Sequence, residues 1–116
     1  MKFSLNRFSL LVAASAAILT SSTAFAAVDA DAAKALAKKN DCFKCHAIDK
    51  TKKGPSYKKI AAKYKGKEAE GFEKMHKNIT TGPKVKLEDG SEEDHKIIET
   101  KDEAEIKNLM QWILAQ

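Results

Sequence analysis

The stretch "CFKCH", Cys42 to His46, sets two thiols three positions apart and an imidazole directly after the second, in a chain with no other cysteine. Three chemistries use such a cluster. A structural zinc site wants four ligands, and there is no second cysteine pair to complete one. A dithiol redox couple uses both cysteines but has no task for the histidine. In covalent haem attachment all three residues have one: the thiols add to the two vinyl groups, and the adjacent histidine becomes an axial iron ligand. One short turn then carries both sulfurs to one porphyrin edge and the imidazole beneath the metal. The motif predicts a single covalent haem c, with Cys42 and Cys45 as its attachment points and His46 on the iron.

Upstream of this motif the chain reads as an export signal. Lys2 and Arg7 form a positive start, Phe8 to Thr20 is an apolar run, and "AFA" at Ala24 to Ala26 supplies the small residues a signal peptidase reads. The run is too short to span a bilayer comfortably. Residues 1–26 are therefore expected to be a cleaved signal peptide. Residues 27–116 form the mature domain, 116 − 26 = 90 residues long, placed in the periplasm. A domain of that size buries a low fraction of its surface, so a covalently held haem would be the largest apolar piece of its core.

Downstream, the apolar periodicity is helical throughout. "DADAAKALAKKND" (Asp29 to Asp41) has acids in its first turn and lysines in its last, which suits a helix dipole. "SYKKIAAKYKG" (Ser56 to Gly66) places Tyr57, Ile60, Ala61 and Tyr64 on one face. A third helix from about Glu68 to Ile79 carries Phe72, Met75, His76 and Ile79. Asp102, with Glu105 three positions on, opens a last helix striped by Ile106, Leu109, Met110, Ile113 and Leu114 and flanked by Trp112. Thr80 to Lys101 has neither period. Strand alternation of any length is absent, so the expected class is all-α, with about four short helices around one haem.

The order of helix, CxxCH, Gly-Pro loop, two short helices, long loop and terminal helix resembles the small bacterial class I c-type cytochromes, over essentially the whole mature chain. "AKKNDCFKCHAID", "GPSYKKIAAKYKGK" and "IKNLMQWILAQ" carry the likeness. The resemblance implies thioethers at Cys42 and Cys45 and His46 as proximal ligand. It also implies that the Pro55 carbonyl accepts a hydrogen bond from the other ring nitrogen of His46, a contact that fixes the tautomer. The family usually places a methionine in the long loop as distal ligand, and this loop has none. The mature chain's only methionines, Met75 and Met110, lie on helical stripes and read as core. Near the family's methionine position stands His95. It is the expected sixth ligand, giving a bis-histidine iron, with His76 as its competitor and a five-coordinate iron with an empty distal site as the third arrangement.

Removing Lys2 and Arg7 leaves 19 basic and 16 acidic residues, a formal charge of +3. Lys34 to Lys67 holds twelve lysines against Asp41 and Asp49, whereas Glu88 to Glu105 holds nine acids against Lys96 and Lys101. Such asymmetry favours electrostatic docking of redox partner proteins through a lysine-rich surface. With no arginine in the mature chain and few aromatics among the lysines, nucleic acid is a poor partner. Stable membrane insertion of the mature chain is not expected. The reading is a soluble periplasmic electron carrier, not an enzyme, of lowered potential if both ligands are histidines. The alternative is a haem-based protein that binds or senses a small gas through a detachable His95.

Overall fold

The computed structural model describes residues 27–116; the expected signal peptide lies outside the described residues. The described residues form four α-helices: α1 (Ala30–Lys39), α2 (Tyr57–Tyr64), α3 (Glu68–Thr81) and α4 (Glu103–Leu114). Each starts within a residue or two of its expected place, α3 at Glu68 itself, although Lys67 before it provides no side-chain cap. The Asp29 carboxylate accepts the Ala32 N–H, the Ser56 hydroxyl accepts the Lys59 N–H, and the Asp102 carboxylate accepts the Ala104 N–H. Capping groups of this kind satisfy amides that the first turn leaves unpaired. At α4 Glu105 does not bond back to the Asp102 N–H as in a capping box. Thr100 donates to Glu105 Oε2 and accepts the Asp102 N–H, so its hydroxyl links the two arms.

α4 is the central element and packs against α1, α2 and α3. Its stripe supplies Ile106, Leu109, Met110, Trp112 and Ile113, all buried. Ala33 and Ala37 of α1 are fully buried; their small side chains let the two helix backbones approach. Asn108 closes the start of this contact by accepting from the Asp29 N–H and donating to the Asp29 carbonyl, both at 2.9 Å. Tyr57 and Met75 complete the core from α2 and α3. Truncating a fully buried side chain such as Leu109 removes about 2–5 kcal/mol from a domain of this kind.

The long segment between α3 and α4 is more ordered than its composition suggests. Gly82 ends α3 in the left-handed conformation at φ 60° and its N–H returns to Asn78. A short antiparallel hairpin follows, β1 (Lys84–Lys86) with β2 (Glu92–Asp94), in the register Lys84 opposite Asp94, Val85 opposite Glu93 and Lys86 opposite Glu92. Two of these pairs set a lysine against an acid, a favourable cross-strand arrangement. Three-residue strands are too short to display an alternating pattern, so the periodicity of the segment gives no sign of them. The class remains all-α around this small addition. After the hairpin, Ile98 enters the core and its N–H bonds to the Ile79 carbonyl at 2.8 Å.

Candidate functional site

The cysteine motif folds as one 3₁₀ turn, Cys42–Lys44, closed by the Cys45 and His46 N–H groups on the Cys42 carbonyl. Both sulfurs are half-buried. They line a cavity of about 480 Å³ whose wall also includes His46, Pro55, Met75, His95 and Met110. That volume falls within the range of about 300–1,000 Å³ typical of small-molecule sites. Burial pushes the Cys42 thiol up from its usual value, away from the low-pKa environment that a dithiol redox couple requires.

His46 is held from two sides. Its Nδ1 lies 2.7 Å from the Pro55 carbonyl, which can only accept, so Nδ1 carries the proton and Nε2 is left as a lone pair. Behind it, the Tyr57 ring stacks at 5.4 Å and 22°, and Trp112 meets Tyr57 edge-on at 5.5 Å. Burial lowers the His46 pKa from 6.5, opposed by the Pro55 bond and assisted by the nearby His95. The imidazole is thus held neutral, the form in which it binds metals. Gly54 is required by close approach: a β-carbon there would stand 2.8 Å from His46 Cε1.

His95 faces His46 across the cavity, with ring centroids 6.3 Å apart and planes at 40°. Its Nδ1 is also 2.9 Å from a carbonyl, that of Lys96, which can only accept, so Nδ1 is the donating nitrogen. A metal between the two rings would be offered one Nε2 from each. His76, the competitor, is elsewhere: it pairs with Glu103 at 3.0 Å on the outer side of α3 and does not line the cavity. Met75 and Met110 are buried in the core along the cavity wall.

The remaining lining suits a flat, mostly apolar group bearing a metal and a few polar substituents. Ile60, Ile79, Leu109 and Ile113 supply apolar surface. Asn78 Oδ1 lies on the same wall, the one buried side-chain polar atom without a hydrogen-bond partner among the described residues. A buried polar atom in that state calls for a partner from whatever fills the space. Several residues carry no signal in the sequence for their part in this site: Tyr57 behind His46, Gly54 against its edge, and Asn78. Only the Gly-Pro pair at 54–55 hints at a constrained turn.

Acidic residues of the hairpin fold back over the loop before α2 and the first turn of α2. Lys53 pairs with Glu93 at 3.5 Å, Lys59 with Glu88 at 3.8 Å, and the Glu88 N–H bonds to the Lys53 carbonyl. Part of the charge asymmetry of the sequence is therefore compensated within the fold. Lys63, Lys74 and Lys86 remain at the cavity wall.

Fold and site together define a small helical protein built around one covalently attached haem. The family model described as Cytochrome c matches residues 30–116, and the chain belongs to that family. Among solved structures it is 55% identical to the class 1 cytochrome MtoD from Sideroxydans lithotrophicus ES-1, with a TM-score of 0.71, over 77% of this chain and 97% of that one. It is 30% identical to wild-type cytochrome c552 from Nitrosomonas europaea, with a TM-score of 0.52, over 70% and 95% of the two chains. A deletion mutant of the same Nitrosomonas protein matches at 30% identity and a TM-score of 0.54, over 71% and 96%. No curated protein matches. The chain is a class I c-type cytochrome that carries one haem c through its two cysteines, Cys42 and Cys45, and transfers electrons through it to and from redox partner proteins. No helix among the described residues is long and apolar enough to cross a membrane.

Proposed function

We propose that the protein is a periplasmic electron carrier whose iron is held between His46 and His95, and that residues 1–26 direct its export. The observation that carries this reading is the pair of imidazoles 6.3 Å apart, each with Nδ1 satisfied by a carbonyl. Bound haem supplies a one-electron couple at its iron. The chain's part is to hold that couple in one geometry. Pro55 and Lys96 fix which nitrogen of each histidine is free, Tyr57 fixes the plane of His46, and the apolar wall excludes water. A protein nitrogen on both faces leaves no position for substrate, which suits transfer rather than catalysis. Imidazole stabilises the reduced iron less than a thioether does, so the potential lies below that of a histidine–methionine relative.

The backbone around His95 favours this reading over gas binding. The His95 N–H bonds to the Pro83 carbonyl at 2.9 Å, and the chain is pinned again at Ile98, three residues on. The lysines near the cavity, with Lys63 and Lys74 free of the hairpin's acids, suit weak, steered contact with an acidic redox partner. Near-infrared magnetic circular dichroism of the oxidised holoprotein tests the ligand pair directly. A bis-histidine band is expected. A histidine–methionine band would move the ligand to Met75 or Met110, and a high-spin signal would put gas binding first.

A further inference from the structure

We infer that Asp41, the residue before the first haem-attachment cysteine, is a positioning residue for His95 and acts through Lys96. The inference rests on His95 being the distal ligand and adds how that ligand is kept in place.

Asp41 holds a left-handed backbone, which aspartate adopts more readily than most residues but less readily than glycine. Its φ is 58°, and it is the only non-glycine residue with positive φ among those described. Glycine takes that conformation without strain, whereas a side chain there brings its β-carbon close to the following carbonyl oxygen. What the Asp41 carboxylate does is reach across the fold. Oδ2 accepts from Lys96 Nζ at 3.1 Å, a link between residues 55 apart in sequence, while Oδ1 lies 3.4 Å from Lys44.

Lys96 is the residue through which His95 is oriented. Its carbonyl accepts from His95 Nδ1, and its ammonium is tied to Asp41. A turn of the Lys96 backbone therefore moves the imidazole and stretches the ion pair together. The flanks are secured independently: His95 N–H on Pro83 O upstream, and downstream Ile98 N–H on Ile79 O and Glu99 N–H on Asn40 Oδ1 at 2.9 Å. Asn40 itself is buried, 2% exposed, and donates to the Leu36 carbonyl. Breaking the Asp41–Lys96 link thus loosens residues 95–97 while leaving the rest of the segment docked. The turn that binds the haem edge also restrains the ligand on the opposite face.

The test uses the full holoprotein and carbon monoxide as the probe, because carbon monoxide binds ferrous iron only after the distal ligand leaves. Asp41→Gly removes the carboxylate and suits the backbone. It is expected to keep or raise the urea midpoint while increasing the carbon monoxide association rate by about twofold to fivefold, the range an exposed ion pair supports. Asp41→Asn, which also tolerates this φ, and Lys96→Gln give the same rate, and the Asp41→Asn/Lys96→Gln double variant gives no further gain. Added salt accelerates the wild type towards the variant rate and leaves Asp41→Gly unchanged. A purely structural role would lower the urea midpoint and leave the rate alone. Wild type lacking the bis-histidine band in magnetic circular dichroism overturns the reading of His95 and the restraint with it. A bis-histidine wild type whose Asp41 and Lys96 variants bind carbon monoxide at the wild-type rate overturns the restraint alone.

Discussion

His46 and His95 face each other, yet the chain holds them by different means. His46 is fixed by near neighbours in sequence: the Cys42 carbonyl on its N–H, the Pro55 carbonyl on its ring, Gly54 at its edge and Tyr57 behind it. His95 is fixed by residues far away along the chain. Pro83 holds its N–H, Asp41 holds the following lysine, and Ile79 and Asn40 hold the residues after that. A local arrangement forms with little loop-closure entropy, whereas the distal one exists only once the core has assembled. The proximal side is therefore expected to behave as one rigid piece with the attachment turn, and the distal side to report on tertiary stability.

Removing what both sides share tests this contrast most severely. In Cys42→Ala/Cys45→Ala the haem is no longer tethered, and a 90-residue domain is left with an apolar cavity of about 480 Å³. Loss of haem stain on a denaturing gel and loss of a cooperative thermal transition in far-ultraviolet circular dichroism are expected. A cooperative, haem-free fold would show that the cofactor is not part of the core.

His95→Ala separates the sides. The haem stays attached, the iron becomes high-spin, and carbon monoxide binds the ferrous form about 10- to 1,000-fold faster, as expected when a minor open state becomes the only state. His76→Ala, which breaks only the contact to Glu103, leaves the spectrum unchanged. Loss of the low-spin signal in His76→Ala instead would place the ligand on α3.

Two glycines provide matched perturbations of smaller size. Gly82 has φ 60°, and a β-carbon there would lie 2.8 Å from both the His95 carbonyl oxygen and Ile97 Cγ1. Gly82→Ala is expected to destabilise by about 2–3 kcal/mol, left-handed strain and overpacking combined, and to raise the carbon monoxide rate. At Gly54 the nearest atom is Cε1 of the His46 ring, which must shift within the hold of Pro55 and Tyr57. Gly54→Ala is expected to cost about 1 kcal/mol and to alter the ligand-plane signature in electron paramagnetic resonance more than the urea midpoint. Equal responses of the two variants in both measurements would erase the proposed difference between the sides.

The same contrast explains what can be read from the sequence. Helix starts at Asp29, Ser56 and Asp102, the attachment turn, and the stripe on α4 are local patterns, and each lies within a residue or two of its expected place. The hairpin is not visible in the periodicity, although Asp89–Gly90 between "KVK" and "EED" is a turn signal with complementary charges on either side. The left-handed Asp41, its reach to Lys96 and the Asn40–Glu99 bond span 55 and 59 positions. Nothing in a single sequence pairs such residues. The lysine–acid asymmetry is legible as composition, but its partial cancellation through Lys53–Glu93 and Lys59–Glu88 depends on where the hairpin docks.

The smallest expected effect concerns the carboxylate of the ion pair that joins the two sides. Hydrogen bonds from Lys96 and Lys44 hold the Asp41 carboxyl below its ordinary 3.8. A carboxyl depressed in the folded state favours folding above its unfolded value, and that contribution disappears as pH falls through the folded value. The wild type and the Asp41→Asn variant should therefore differ in urea midpoint at neutral pH by a small margin. The margin should close below pH 3.8 as the wild-type carboxyl takes up its proton. The carbon monoxide rates of the two should converge over the same window, because the restraint on His95 and the stability term share one charge. Convergence of the midpoints without convergence of the rates would mean that Asp41 stabilises the attachment turn alone, through Lys44, and that the distal side is held by Ile98 and Asn40 without it.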